Sequence, residues 1–390
     1  MATSQVNSQK NLRLIEQDDA ISRITLDKDS GLVFFVGAGV SYDEPAGCPL
    51  WSDFIKKALE AAVKGHSDLR ELYNRIEGRL SDVKTELICQ LMHKHLRDDY
   101  FGYLDILYHG EPNGNHLSIA HLMKTLVAPL VITTNFDRHI ENAFKEQLDI
   151  KVGEPNGKGE ILNKTSSAQN DYPCLWKIHG CLDDRASMIT TLRHAGREAP
   201  EKTKKILGEI LESKVVVVVG YSGNDDDLFP LFLQNSDRTK LVYWVLRDGE
   251  RSINRNIRAY AETCEQCVLV DSNRSSIFEK MADAPRLEID DNEEIRKALK
   301  EDLILRWAAS IELDSWNNLF CDFLLQVSNH PVVVGLVSDS ARSTMLTSSD
   351  PWNVINARMN LGNALVKLEK YEEARMILPG FAPISSAART

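Results

Sequence analysis

Three short apolar runs in this chain stop at residues able to do chemistry. Residues 130–134 lead into Asn135-Phe136-Asp137, residues 175–178 into His179-Gly180, and residues 32–36 into Gly37-Ala38-Gly39-Val40-Ser41. Histidine titrates near neutrality, so His179 suits a general base. Asn135 and Asp137 carry an amide and a carboxylate, groups that orient hydroxyls or water. Glycines at a strand-to-helix turn leave backbone N–H groups open to a phosphate, because no side chain blocks its approach. Each feature has a plainer reading as well. The glycines suit any tight turn, Asn135 and Asp137 suit a helix N-cap, and His179 suits a structural histidine at a strand end.

The elements that must hold these residues alternate. Apolar runs at 32–36, 130–134, 175–178, 215–219, 241–246 and 268–270 are rich in β-branched and aromatic residues, and helical stretches at 51–63, 69–97, 116–126 and 202–212 lie between them. Short continuous apolar runs separated by helices predict buried parallel strands, hence an α/β, Rossmann-like, mostly parallel sheet. Such sheets bind ligands at the carboxyl ends of their strands. The fourth run ends in Gly220-Tyr221-Ser222-Gly223 and the last in Val270-Asp271, so five strand ends carry small or polar residues that one crevice can collect.

The order GAG-x-S, TN-x-D, HG and G-x-S resembles the sirtuin superfamily, in particular its SIR2-like branch of bacterial anti-phage proteins. The resemblance covers about residues 31–275. It implies that NAD is bound and consumed, with the pyrophosphate on Gly37, Ala38, Gly39 and Ser41. Asn135 would orient the nicotinamide ribose and an attacking water, Asp137 would hold the ribose and the loop geometry, and His179 would be the base. Gly220 and Ser222 would border the cofactor, with Ser222 and Asp271 near its adenosine half. The residue types fit that chemistry, since cleaving the nicotinamide–ribose bond forms an oxocarbenium-like ribose and releases a neutral leaving group.

The chain departs from sirtuin deacylases at two places. Their glycine loop is followed by a proline-aspartate-phenylalanine-arginine stretch, whereas Pro45-Ala46-Gly47-Cys48-Pro49-Leu50-Trp51-Ser52-Asp53-Phe54 has no arginine. Their structural zinc takes two cysteine pairs, but Cys181 is the one cysteine between His179 and Gly220. Cys264 and Cys267 have ligand spacing without a second pair, and His93 and His95 point to different faces of a helix. Asp225–Asp227 reads as a solvated helix start favoured by the helix dipole. No metal is expected.

Composition narrows the function classes. A net charge of -11 disfavours a broad grip on nucleic acid or anionic lipid. Seven unevenly spaced cysteines do not suit a disulfide framework, and no run is apolar enough to span a bilayer, so a cytoplasmic location is expected. The domains expected are a SIR2-like domain at 1–280, with a helical insertion at about 52–126, and a helical region at 281–390. A helical block covers 293–327, and a Ser/Thr/Asp-rich linker is expected around 338–350. Residues 353–378, with Leu361, Gly362, Leu365, Tyr371 and Ala374, resemble one partial tetratricopeptide unit. Such units are stable only when stacked, which implies a homo-oligomer or a protein partner. The reading reached is an NAD hydrolase that depletes NAD as an anti-phage effector. The alternatives are a protein deacylase or ADP-ribosyltransferase, and a non-catalytic NAD or ADP-ribose sensor.

Overall fold

The computed structural model describes residues 12–27, 31–80, 83–144, 148–152, 173–190, 199–283 and 293–378. Its described residues form two compact units, one within Met1–Leu50, Tyr108–Ile189 and Arg193–Glu293, the other within Trp51–Leu107, Thr190–Leu192 and Glu294–Thr390.

The first unit is built on eight parallel strands: β1 (Leu14–Glu16), β2 (Leu32–Val36), β3 (Leu130–Thr133), β4 (Asp149–Val152), β5 (Cys174–Lys177), β6 (Val215–Val219), β7 (Leu241–Leu246) and β8 (Cys267–Asp271), in the spatial order β1-β8-β7-β6-β2-β3-β5-β4. The sheet is therefore α/β and Rossmann-like. Successive side chains of a strand face opposite ways, and both faces are covered. Val33, Phe35, Trp176 and Val218 pack with Ile206, Ile210 and Phe232 on one face. Phe34, Val36, Val131 and Val217 pack with Ile119, Met123, Ile140 and Phe278 on the other. Burial on both sides is why the inner strands read as unbroken apolar runs.

Two edge strands left no such signal. β1 precedes the helix Gln17–Asp27, and residues 1–11 lie outside the described residues. β1 and β4 each pair with a single neighbour and are partly exposed, so they need no apolar run. Winding reverses between β2 and β6: β3, β5 and β4 extend to one side, β6, β7, β8 and β1 to the other. Sheets wound this way hold their ligands beside the reversal, at the carboxyl ends of the strands.

The second unit is helical. Residues 51–107 supply Trp51–Gly65, Arg70–Glu77, Thr85–Leu96 and Asp98–Leu107, so the stretch expected as one helix over 69–97 is two. Tyr103 stacks on Trp307 at 4.4 Å, and Trp316 meets Trp307 edge-on at 5.6 Å. The linker expected around 338–350 is instead mostly the helix Pro331–Thr347. Val334, Val337, Ala341 and Thr344 recur at helical intervals and are buried, so small polar residues here pack inward. In the tail, Pro351–Lys367 and Tyr371–Ile377 form a helix pair, with Leu361, Leu365 and Ala374 packed on Ala341 and Met345. Leu361 and Leu365 are thus covered within their own unit, while Tyr371 is exposed. Pro379 and Gly380 lie outside the described residues. No helix among the described residues is long and apolar enough to cross a membrane.

Candidate active site at the strand ends

Glycine is required where the loops after β2 and β6 touch. A Cβ on Gly37 would lie 2.6 Å from Gly220 O, and one on Gly39 2.7 Å from Gly220 Cα. The contact is sealed by Gly37 N donating to Val219 O at 3.0 Å and Gly39 N to Gly220 O at 2.9 Å. Two of the N–H groups expected to face a phosphate are therefore spent on the neighbouring loop. These glycines serve close approach of one backbone to another.

Ser41 follows on the same loop and is 1% exposed. Its Oγ donates to Asp137 Oδ2 at 2.9 Å and accepts from Asn135 Nδ2 at 3.1 Å. His116 Nε2 lies 3.0 Å from the same oxygen. The His116 tautomer follows from its other nitrogen, because Nδ1 accepts from Asn113 N at 3.1 Å. The proton of the neutral ring is then on Nε2, which donates to Ser41. Burial pushes this ring down to about 3, with Asp137 opposing and His139 assisting, so it is neutral at pH 7. Ser41 thus makes one donated and two accepted bonds, the full capacity of a hydroxyl. Its side chain joins the glycine loop to the TNFD loop.

Asp137 also caps a helix. Its Oδ1 accepts from His139 N at 3.1 Å, where the helix His139–Phe144 begins. Burial alone would raise its carboxyl, but His139, His116 and Lys177 outweigh burial and hold it below the usual range. The Lys177 side chain, 1% exposed, runs from β5 under this loop. Its Nζ donates to Phe136 O and Asp137 O and pairs with Glu141 at 2.7 Å. β3 and β5 are adjacent and in register, Thr133 opposite Lys177, so Asn135 and His179 leave neighbouring strand ends at one level.

His179 is 9% exposed, and its Nε2 lies 3.1 Å from Asp227 Oδ2. Gly180 turns the chain there with φ +93, and a Cβ would meet Ser187 O at 2.3 Å. The acidic run expected to be solvated divides into three roles. Asp225 Oδ1 accepts from Leu228 N and Phe229 N at 3.0 Å each, Asp226 is exposed, and Asp227 is buried beside His179. Burial raises the Asp225 carboxyl, with His179 opposing and Asp227 adding to the rise.

The residues expected near adenosine stand farther along. Ser222 is exposed, and its carbonyl accepts from Asn254 Nδ2 at 2.7 Å. Asp271 ends β8, one strand beyond β7, and its Oδ1 accepts from Asn273 N at 2.9 Å. Sequence reasoning missed His116, Lys177 and Asp227. Asn113 did carry a signal: Asn at an N-cap with a polar residue three positions on is a capping pattern, and Asn113 and His116 form that reciprocal pair.

Three elements of this site, the TNFD loop, the HG turn and the GYS loop, fall within one segment that matches a known family. Residues 129–267 match the SIR2-like domain. Among solved structures, a SIR2 homologue in complex with NAD aligns at 16% identity with a TM-score of 0.36, covering 72% of this chain and 94% of its own. Sir2Tm bound to a propionylated peptide aligns at 14% identity with a TM-score of 0.34, covering 68% and 96% respectively. No curated protein matches the chain. The SIR2-like segment leaves out β2 and its glycine loop, which the hydrogen bonds of Ser41, Gly37 and Gly39 tie to it.

Cys264 and Cys267 are buried core thiols of the SIR2-like segment. Burial pushes the Cys267 thiol well up, and Cys264 adds to the rise. His93 and His95 part as expected: His95 is buried against Asp322, while His93 meets the rings of Tyr100 and Phe101.

Proposed function

We propose that this chain binds NAD over the carboxyl ends of β2, β6, β3 and β5 and hydrolyses its nicotinamide–ribose bond. The observation that carries the reading is the Ser41 hydroxyl, which fixes Asn135 and Asp137 to the glycine loop beside the strand end that bears His179. Gly37, Ala38, Gly39, Gly220 and Ser222 would border the dinucleotide, and Asp271 its adenosine end. In the reaction the C1′–N bond breaks with its electron pair going to nicotinamide, which leaves neutral. Asn135 holds the water that adds to C1′ of the oxocarbenium-like ribose, and Asp137 steadies the loop and ribose. His179 takes the proton that water loses. The products are nicotinamide, ADP-ribose and a proton.

Incubation of the pure protein with NAD, with and without an acylated peptide, tests the reading. ADP-ribose formed without peptide is expected. O-acyl-ADP-ribose formed only with peptide would replace the proposal with deacylation, and binding without turnover would replace it with a sensor. By its resemblance to anti-phage SIR2-like proteins, we propose further that NAD depletion is the biological output. In the same reading, the helical tail brings copies of the chain together.

A further inference from the structure

Three side chains that bind metals well meet inside the first unit. Cys48, Asp137 and His139 are 2%, 4% and 1% exposed, and one ligand atom from each lies within 4.8 Å of the others. They come from three places: the turn after the glycine loop, the TNFD loop, and the first residue of the helix His139–Phe144. Cys48 Sγ and His139 Nε2 are 3.4 Å apart. Zinc bonds of about 2.3 Å to sulfur and about 2.0 Å to nitrogen at a tetrahedral angle set two ligands about 3.5 Å apart, so this pair already has the spacing of two ligands on one ion.

The surroundings also suit an ion. The backbone N–H of Cys48 donates to Ser41 O at 2.8 Å, which fixes the main chain that carries the thiol. Asp137 accepts from His139 N on one oxygen and from Ser41 Oγ on the other, the outer hydrogen bonds that orient a ligating carboxylate. A thiolate, an imidazole and a carboxylate form a borderline-soft set that favours Zn²⁺ over Mg²⁺ or Ca²⁺. Thiolate plus carboxylate cancels the charge of a divalent cation, which is what a buried site demands.

We propose that Cys48, Asp137 and His139 bind one Zn²⁺ ion, which clamps the 44–48 turn to the loop carrying Asn135. Pairs of cysteines close in sequence are the usual sign of zinc; here the cysteine and the histidine lie far apart in the chain, and only the fold joins them. The rival is a plain hydrogen bond between thiol and imidazole, with Ala46 O at 3.7 Å from the sulfur as a second acceptor.

Cobalt reports on this without any turnover of NAD. Full-length protein stripped of metal and titrated with Co²⁺ should develop a thiolate-to-cobalt charge-transfer band that saturates at one ion per chain and is displaced by Zn²⁺. The band should vanish in Cys48→Ser, weaken in His139→Gln and persist when Cys264→Ser and Cys267→Ser are combined. A wild type without the band would overturn the proposal in favour of the hydrogen bond. A band that survives Cys48→Ser but is lost in the double variant would move the ion to the other cysteines. Zinc-edge X-ray absorption on wild-type protein needs no variant to fold: one sulfur with nitrogen and oxygen neighbours is expected, and two or more sulfurs would refute the assignment.

Discussion

At the scale of single residues, the candidate site rests on side chains whose bonds point in known directions. His179→Ala and Asn135→Ala are each expected to lower NAD cleavage by about 10²–10⁴-fold, the usual loss with a general base or its partner. Circular dichroism should stay at wild type, because both residues stand at strand ends. Folded variants that keep at least half the activity would sink the assignment. Asp227→Asn should cost less than His179→Ala, and in kcat rather than KM, if Asp227 acts through the His179 ring it stands 3.1 Å from. Gly39→Ala tests a different property. Its new Cβ would sit 2.7 Å from Gly220 Cα, so the two loops must part. A loss of about 1–3 kcal/mol in urea denaturation is expected, as for other forced overpacking; no loss would mean that the loops give way freely. Asn135 and His179 were legible as polar residues closing apolar runs. Lys177 was not, because a lysine closing such a run looks like its solvent end, and its burial depends on Glu141 and two carbonyls from another strand's loop. Asp227 was hidden by its neighbours, since Asp225 does bond the N–H groups at a helix start.

Among elements, legibility followed burial. Val215–Val219 and Leu241–Leu246 were visible end to end because neighbours and helices cover them on all sides. Asp149–Val152, at the edge, alternates without a strong apolar face and left no trace. Ser338 and Thr344 misled in the opposite direction, since composition suggests a linker and only packing reveals an inward face. Helix-to-helix contact in the second unit is fixed by a polar group as well as by its tryptophans. Asp322 on Leu313–Val327 accepts from Lys94 at 2.6 Å and stands 3.0 Å from His95 Nε2. Burial would raise its carboxyl, but His95 and Lys94 draw it down to about 2. A carboxyl lower in the folded chain than in the unfolded one stabilises above its ordinary range near pH 4, and that contribution is lost as pH falls toward about 2. Asp322→Asn is therefore expected to cost about 1–3 kcal/mol at pH 7 and much less at pH 2. Urea melts at the two pH values measure it. A cost independent of pH would show that shape, not charge, ties these helices.

For the whole molecule, self-association through the helical tail predicts a dimer or larger species in light scattering of the full chain. A monomer that is fully active toward NAD would remove assembly from the account. The winding of the sheet has a further consequence, this time for synthesis. The glycine loop is made early, yet Gly37 and Gly39 find their acceptors only on Val219 and Gly220, and the partner of His179 is Asp227. A ribosome must therefore release more than half of the chain before the crevice has a second wall. Products that stop short of β6 carry the glycines, Asn135 and His179 but no assembled pocket. Chains that end before residue 215 are therefore expected to lack any activity that the full chain shows in the same assay.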